Sequence, residues 1–127
     1  MVAICGKKNQ SAREKALDQF KSGKTNVMFA TDVAARGLHI DDINIVINFY
    51  MPREKCEEYV HRIGRTARAG KKGMSISYFV PKWDSWCAGQ LKQILNKSGQ
   101  PVPQKLNEMK STEKRRGYER IDCTPQI

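Results

Sequence analysis

The segment His61-Arg62-Ile63-Gly64-Arg65-Thr66-Ala67-Arg68-Ala69-Gly70-Lys71-Lys72 carries five Lys or Arg side chains and no acid. Arg65 and Arg68 lie three residues apart, a spacing that lets both point the same way, and Gly64 lets the backbone come close to a neighbour. Planar guanidinium groups match phosphate oxygens. An arginine supplied across a domain interface can stabilise the charge that develops on a transferring γ-phosphoryl group. A solvated basic helix end, which complements the helix dipole, would use the same residues. Spacing leaves both readings open.

Ser22-Gly23-Lys24-Thr25 offers a second phosphate candidate and fails two tests. A phosphate-binding P-loop needs another glycine five residues before Gly23, where the chain has Asp18, carrying the wrong charge within a helical stretch. It also needs a strand before it and a helix after it, and here the order is reversed. Gly23 is therefore expected to cap a helix and Lys24 to lie on the surface. No acidic strand-end motif suits Mg²⁺, because Asp41 and Asp42 precede a strand, so this chain alone is not expected to hydrolyse a nucleotide by the P-loop route. Cys5, Cys56, Cys87 and Cys123 are far apart, with no C-x-x-C pair and no clustered His, which predicts reduced, mostly structural thiols and no metal site.

The elements that must position these residues follow from periodicity. Val2 to Cys5 reads as a strand ending at Gly6. Ser11, with Glu14 three residues on, reads as a capping box that opens a helix with Ala12, Ala16, Leu17 and Phe20 inward and Gly23 as its stop. Asn26 to Ala30 is a second strand. Asn44 to Phe49 is a third, apolar enough for burial on both faces and closed by Pro52. A helix from about Glu54 puts Cys56, Tyr59, Val60 and Ile63 on one face before Gly64 interrupts it. Met74 to Val80 is the fourth strand. Trp83, Trp86, Cys87, Leu91, Ile94 and Leu95 then mark the inner face of a last long helix packed on the sheet, with both tryptophans in the core.

Short strands alternating with helices define an α/β fold: an open parallel sheet with flanking helices. Ligands bind such sheets beyond the carboxyl ends of the strands. That rule selects Asn9, Gln10 and Arg13 after the first strand, Thr31, Asp32, Arg36 and Gly37 after the second, and Asn48, Tyr50 and Arg53 after the third. Residues 1–98 form the domain, and residues 99–127 read as a mobile, polar, basic tail with the run Lys114-Arg115-Arg116.

The 127 residues have room for one core, and their 39% hydrophobic content leaves solvated extensions. The apolar runs are far short of the ~20 residues of a membrane-spanning helix and too short for a signal-peptide core, so an intracellular chain without membrane contact is expected. With 23 Lys+Arg against 13 Asp+Glu the net charge is +10, which makes polyanions the natural partners. It is not one patch: residues 1–80 carry 14 basic and 8 acidic side chains, or +6, and residues 81–127 carry 9 and 5, or +4.

Four strings in order carry a family resemblance. His-Arg-Ile-Gly-Arg-Thr-Ala-Arg-Ala-Gly at 61–70 resembles motif VI of DEAD-box RNA helicases, and Ala-Thr-Asp-Val-Ala-Ala-Arg-Gly-Leu at 30–38 resembles motif V. Gln10-Ser11-Ala12-Arg13 fits the Q-x-x-R element, and Val46-Ile47-Asn48-Phe49 followed by Met51-Pro52 resembles the strand before motif VI. The match is strong from Val2 to Pro81 and continues more loosely to Leu106. His61, where many wider relatives have Gln, favours the DEAD-box branch.

The resemblance implies the second, C-terminal RecA-like lobe of an ATP-dependent RNA helicase. Arg65 and Arg68 would be its catalytic arginine fingers, reaching ATP and Mg²⁺ at the interface with a first lobe. Gly37 and His39 would complete the ATP-binding set. Gln10, Arg13, Thr31 and Asp32 would lie along the RNA strand, reading sugar and phosphate rather than sequence. His61 and Arg62 would help tie the two lobes together.

Three positions depart from the family pattern. His39 stands in place of an Asp expected to hydrogen-bond the ATP ribose, Cys5 in place of a His, and Ala67 in place of a common Gly. The first lobe, with its P-loop and Asp-Glu-Ala-Asp motif, is missing from the sequence, as are the first strand and helix of the second lobe. An N-terminally truncated fragment, inactive in isolation, is therefore expected. The alternative is a non-enzymatic basic RNA-binding or interaction fragment, or a degenerate helicase remnant.

Overall fold

The structure, a computed structural model, describes residues 1–112; Lys114-Arg115-Arg116 and Cys123 lie outside the described residues. Contacts divide the chain into two units, Met1–Val46 with Arg62–Ser75, and Ile47–His61 with the described residues from Ile76 on.

The first unit opens with β1 (Val2–Ile4), α1 (Gln10–Lys21), β2 (Met28–Ala30) and the short α2 (Asp32–Ala35). β1 and β2 pair in parallel, Val2 with Met28, Ala3 with Phe29 and Ile4 with Ala30. A helix between parallel strands is what the alternating pattern requires. Its buried centre is Ile4, Ala16 and Ala34, with Val2, Leu17, Met28 and Leu38 packed around it.

The start of α1 differs from expectation. Asn9, with extended backbone, caps the helix by accepting a hydrogen bond from the Ala12 N–H at 2.9 Å, two residues before the expected Ser11. Asn is as good an N-cap as Ser, and Ala12, in the first turn, is exposed rather than part of the inward stripe. Glu14 Oε1 accepts from Gln10 Nε2 instead of closing a box. Gly23 ends the helix at φ +74°, and Thr25 is buried with its hydroxyl donating to the Val27 carbonyl, so the Ser22–Thr25 string is a helix exit.

β3 (Ile45–Asn48), α3 (Glu57–Ile63) and β4 (Met74–Ser77) follow. β3 and β4 form a second two-stranded ladder, so the parallel strands stand as two ladders rather than one sheet. Met74 N–H donates to Asn44 O and Tyr78 N–H to Asn48 O, both at 3.0 Å and both thirty residues apart (74 − 44 and 78 − 48), the constant offset of a parallel pair. β3 is not buried on both faces: Ile47 is 59% and Phe49 67% exposed, beside exposed Ile76 and Tyr78. Among the described residues nothing packs over that row, and Phe49 instead meets Tyr78 at a tilt of 58° with ring centres 5.8 Å apart and Tyr50 edge-on at 5.0 Å.

In the second unit Met51, Pro52, Cys56 and Tyr59 are buried, whereas Val60, expected on the inner face of α3, is exposed. The expected last long helix is broken. α4 (Pro81–Asp84) gives way to a 3-10 turn at Ser85–Cys87 and then to α5 (Ala88–Lys97). Pro81 starts α4, and Asp84 turns its carboxylate back to accept from the Val80 N–H at 2.7 Å. The break rotates Trp83 outward, where it is exposed with Lys82 over its ring, and leaves Trp86 half-buried, so the core is Cys87, Ala88 and Leu91.

The stretch from residue 99, expected as a tail, begins with folded chain. α6 (Gln104–Asn107) packs on α5, buries Leu106, and receives Lys92 Nζ at the carbonyls of Asn107 (3.0 Å) and Met109 (2.5 Å). Ser111 Oγ accepts from the Gly89 N–H at 2.8 Å. Among the described residues no helix is long and apolar enough to cross a membrane.

Candidate functional site

Of the singled-out residues, Asn48, Tyr50, Arg53 and His61 fall in the second unit and the others in the first. Thr31 leaves the carboxyl end of β2 with its N–H on Ile4 O and stands ahead of α2, but its side chain makes no capping bond. Asp32, the next residue, is gripped by Arg62 from the end of α3: Nε donates to Oδ1 at 2.6 Å and Nη2 to Oδ2 at 2.5 Å. The two side chains are 23% and 34% exposed, so this charge-assisted, two-point bond is partly shielded from water.

The family resemblance implies RNA contact for Asp32 and a partner lobe for Arg62; in the structure they hold each other. The ion pair fastens the motif V turn to the start of the arginine loop. Asp32→Asn, which keeps the shape and removes the charge, is expected to destabilise the folded chain by about 1–3 kcal/mol. A urea midpoint unchanged from wild type would show that the pair contributes nothing.

Beyond Ile63 the chain turns, with Arg65 N–H on Arg62 O and Thr66 N–H on Ile63 O. Ile43 N–H donates to Arg65 O, Ile43 and Thr66 form a parallel bridge, and the buried Thr66 hydroxyl donates to Asn44 O at 3.2 Å. The backbone is left-handed at Ala67 (φ +55°), Ala69 (φ +53°) and Gly70 (φ +77°). An alanine in this region is strained by about 1–2 kcal/mol, which explains in physical terms why glycine suits position 67.

This frame presents two different arginines. Arg65 is half-buried, its Nη1 3.4 Å from Leu38 O, beside Gly37 (φ +79°) and the exposed His39. Arg68 is exposed, pairs with Asp41 at 2.7 Å and donates through Nε to Gly64 O at 2.5 Å. Lys71 pairs with Asp42 at 2.5 Å. The two acids that precede β3 thus serve the basic loop, and among the described residues no cluster of His, Cys, Asp and Glu could hold a metal ion.

At the carboxyl end of β1, Arg13 reaches back from α1 to place Nη2 2.9 Å from Gly6 O, while its buried Nε has no hydrogen-bond partner among the described residues. Gln10 is exposed at the start of α1. His61 belongs to the second unit and is exposed on α3. Sequence reasoning missed three supports: Asp41 under Arg68, the Leu38 carbonyl under Arg65, and Gly73 behind the loop. Only the last left a local signal, a glycine directly after a basic run.

The helicase conserved C-terminal domain model matches residues 1–70. The chain is 49% identical over 118 residues to DEAD-box ATP-dependent RNA helicase 40 of Oryza sativa, covering 93% of this chain and 15% of that protein. It is 54% identical over 97 residues to the pre-mRNA-splicing ATP-dependent RNA helicase PRP28 of Pyricularia oryzae, covering 76% and 14%. The crystal structure of the yeast DEAD-box splicing factor Prp28 superposes with a TM-score of 0.77 at 32% identity, over 94% of this chain and 27% of that one.

The chain therefore belongs to the helicase conserved C-terminal domain family, in its DEAD-box RNA helicase branch. Its fold is that of a RecA-like helicase C-terminal domain. It spans about one-seventh of the length of the two curated relatives.

Proposed function

We propose that this chain supplies the second lobe of an ATP-dependent RNA helicase, giving arginine fingers to ATP and part of an RNA-binding surface. The observation that carries the reading is the Arg62–Asp32 pair, which ties the Thr31 turn and the Arg65–Arg68 loop into one unit. RNA contacts at Thr31 and Arg13, and phosphate contacts at Arg65 and Arg68, then share one support.

ATP is the substrate, and the residues present fit part of it. Among the described residues the Arg65 side chain makes one long hydrogen bond, and Arg68 is held by an acid in water-exposed surroundings. An exposed ion pair contributes about 0.2–1 kcal/mol, so an incoming phosphate displaces Asp41 at little cost. Gly37 and His39 stand at the nucleotide side. Mg²⁺, which would supply charge neutralisation between phosphates, has no ligand set in the described chain and falls to the phosphates and a first lobe. His61 joins the lobes, and the setting is intracellular.

On the RNA side Arg13, Thr31 and Gln10 meet sugar and phosphate, so affinity follows salt rather than sequence. Arg13 is the cation among these three, so it contributes about −0.7 to the slope of log K against log salt for single-stranded RNA, and Arg13→Ala removes that share. Fluorescence anisotropy across a salt series, on two unrelated RNA sequences, measures both. A slope near zero, or strong preference for one sequence, contradicts the reading.

A further inference from the structure

Three of the cations between His61 and Lys72 pair with carboxylates, and the three pairs are not alike. Arg62 and Asp32 meet at two points in partly shielded surroundings. Arg68 Nη1 meets Asp41 Oδ1 at 2.7 Å, with side chains 50% and 46% exposed. Lys71 Nζ meets Asp42 Oδ2 at 2.5 Å, with side chains 62% and 59% exposed. The first pair is a clamp. The other two lie in water, where an ion pair contributes little and exchanges its partners readily.

The backbone keeps these acids beside the loop. Asp41 and Asp42 are consecutive, and successive side chains of an extended chain point to opposite faces. Asp42 has left-handed backbone, φ +72°, which breaks that alternation, and both carboxylates reach the same loop. Asp enters this region more readily than most residues. On the other side Lys71 N–H donates to Arg68 O at 3.0 Å, a turn that brings the two cations together. Ile43 N–H donates to Arg65 O, and Ile43 bridges Thr66, so acids and loop stay adjacent whatever the side chains do. Either ion pair can therefore open while the loop keeps its shape.

We propose that Asp41 and Asp42 act as an internal anion that competes with polyphosphate for the basic loop, and that Lys71 joins Arg68 in holding the ligand once the exchange is made. The proposal rests on the reading that this loop meets the phosphates of ATP. Phosphate oxygens take Arg68 Nη1 and Lys71 Nζ, and the two carboxylates turn to water. Affinity for nucleotide is then set by competition as well as by attraction. The acids also serve the loop itself, because like charges on one short stretch repel and the carboxylates offset that repulsion. Asp41 and Asp42 thus tune the site without touching the ligand, and Lys71 becomes a contact residue that the arginine spacing does not reveal.

The test is calorimetric titration of the full chain with sodium tripolyphosphate, which carries the phosphates of ATP without base or ribose. Asp41→Asn and Asp42→Asn are each expected to tighten binding by about 1.4- to 5-fold, the share an exposed pair holds back, with a smaller gain as salt rises. Asn keeps the shape of both side chains and tolerates the left-handed position. Lys71→Ala is expected to weaken binding. Asp18→Asn removes the same charge from an exposed position on α1 and is expected to change binding less. In the chain joined to a DEAD-box first lobe, Asp41→Asn is expected to lower KM for ATP by the same factor with kcat unchanged. Unchanged or weaker binding by both Asn variants, a gain matched by Asp18→Asn, or wild-type binding by Lys71→Ala overturns the proposal. Arg68→Ala separates it from the reading beneath it. Weaker binding there, with no gain from either Asn variant, removes the competition and leaves the phosphate contact, whereas wild-type binding by Arg68→Ala removes both.

Discussion

Arg65→Ala, in this chain joined to a DEAD-box first lobe, is expected to lower RNA-stimulated ATP hydrolysis by about 10³-fold, the lower end of what a transition-state arginine contributes. Charge spreads over the phosphoryl oxygens as the bond breaks, and a guanidinium placed there stabilises that state more than the ground state. Loss of folding would not account for the effect. Among the described residues the Arg65 side chain makes one hydrogen bond, 3.4 Å to Leu38 O, while the loop is held by backbone bonds from Ile43 and to Arg62 and by the Thr66 hydroxyl. RNA affinity should therefore stay near wild type while kcat falls. Arg65→Lys should recover little, since an ammonium lacks the planar fork that meets two oxygens at once. Steady-state hydrolysis at saturating RNA measures both variants, and a wild-type rate from Arg65→Ala would remove the finger assignment.

Gly73→Ala is expected to be the most damaging single methyl group in the first unit. A Cβ there would overlap the Thr66 hydroxyl and lie 2.5 Å from the Ala67 nitrogen. The hydroxyl cannot swing away without releasing Asn44 O, and the backbone nitrogen sits between the Ile43–Thr66 bridge and the left-handed residue Ala67. Overpacking against backbone that cannot give costs about 3 kcal/mol, the upper end of the usual range. Gly70→Ala supplies the comparison: its Cβ meets nothing within 4 Å, and only its positive φ is strained, so about 1–2 kcal/mol is expected. Urea unfolding followed by tryptophan fluorescence and far-ultraviolet dichroism measures both. A Gly73→Ala midpoint at or above that of Gly70→Ala would contradict the packing described for the loop.

Much of the site was legible because its signals are local. The arginine triplet, the Thr31-Asp32 turn and the Gln10/Arg13 pair are local strings, and the period of the strands placed the last two at strand ends. The P-loop decoy was also decided locally, by the order of helix and strand around Gly23. What the sequence left open depends on partners distant along the chain. Asp32 and Arg62 are thirty residues apart, and no spacing rule joins them. Asp41 and Asp42 could be read only by position until Arg68 and Lys71 were seen beside them. In the fold, residues equal in hydrophobicity met unequal environments. Ile47 and Phe49 carry the signature of a doubly buried strand and are exposed, and Trp83 is turned outward by a break that a helical stripe does not reveal. Asn9 displaced Ser11 as the cap because two good caps lay two residues apart and sequence gives no way to rank them.

The central claim is that this chain works as the second lobe of an RNA-dependent ATPase. The most direct measurement is the ATP hydrolysis rate of a DEAD-box first lobe, alone and joined to this chain, each with and without RNA. Hydrolysis that rises only when both the chain and RNA are present is the predicted result. Rates that are the same with and without the chain, even as the chain binds RNA in a salt-dependent way, would contradict it and identify a binding fragment instead.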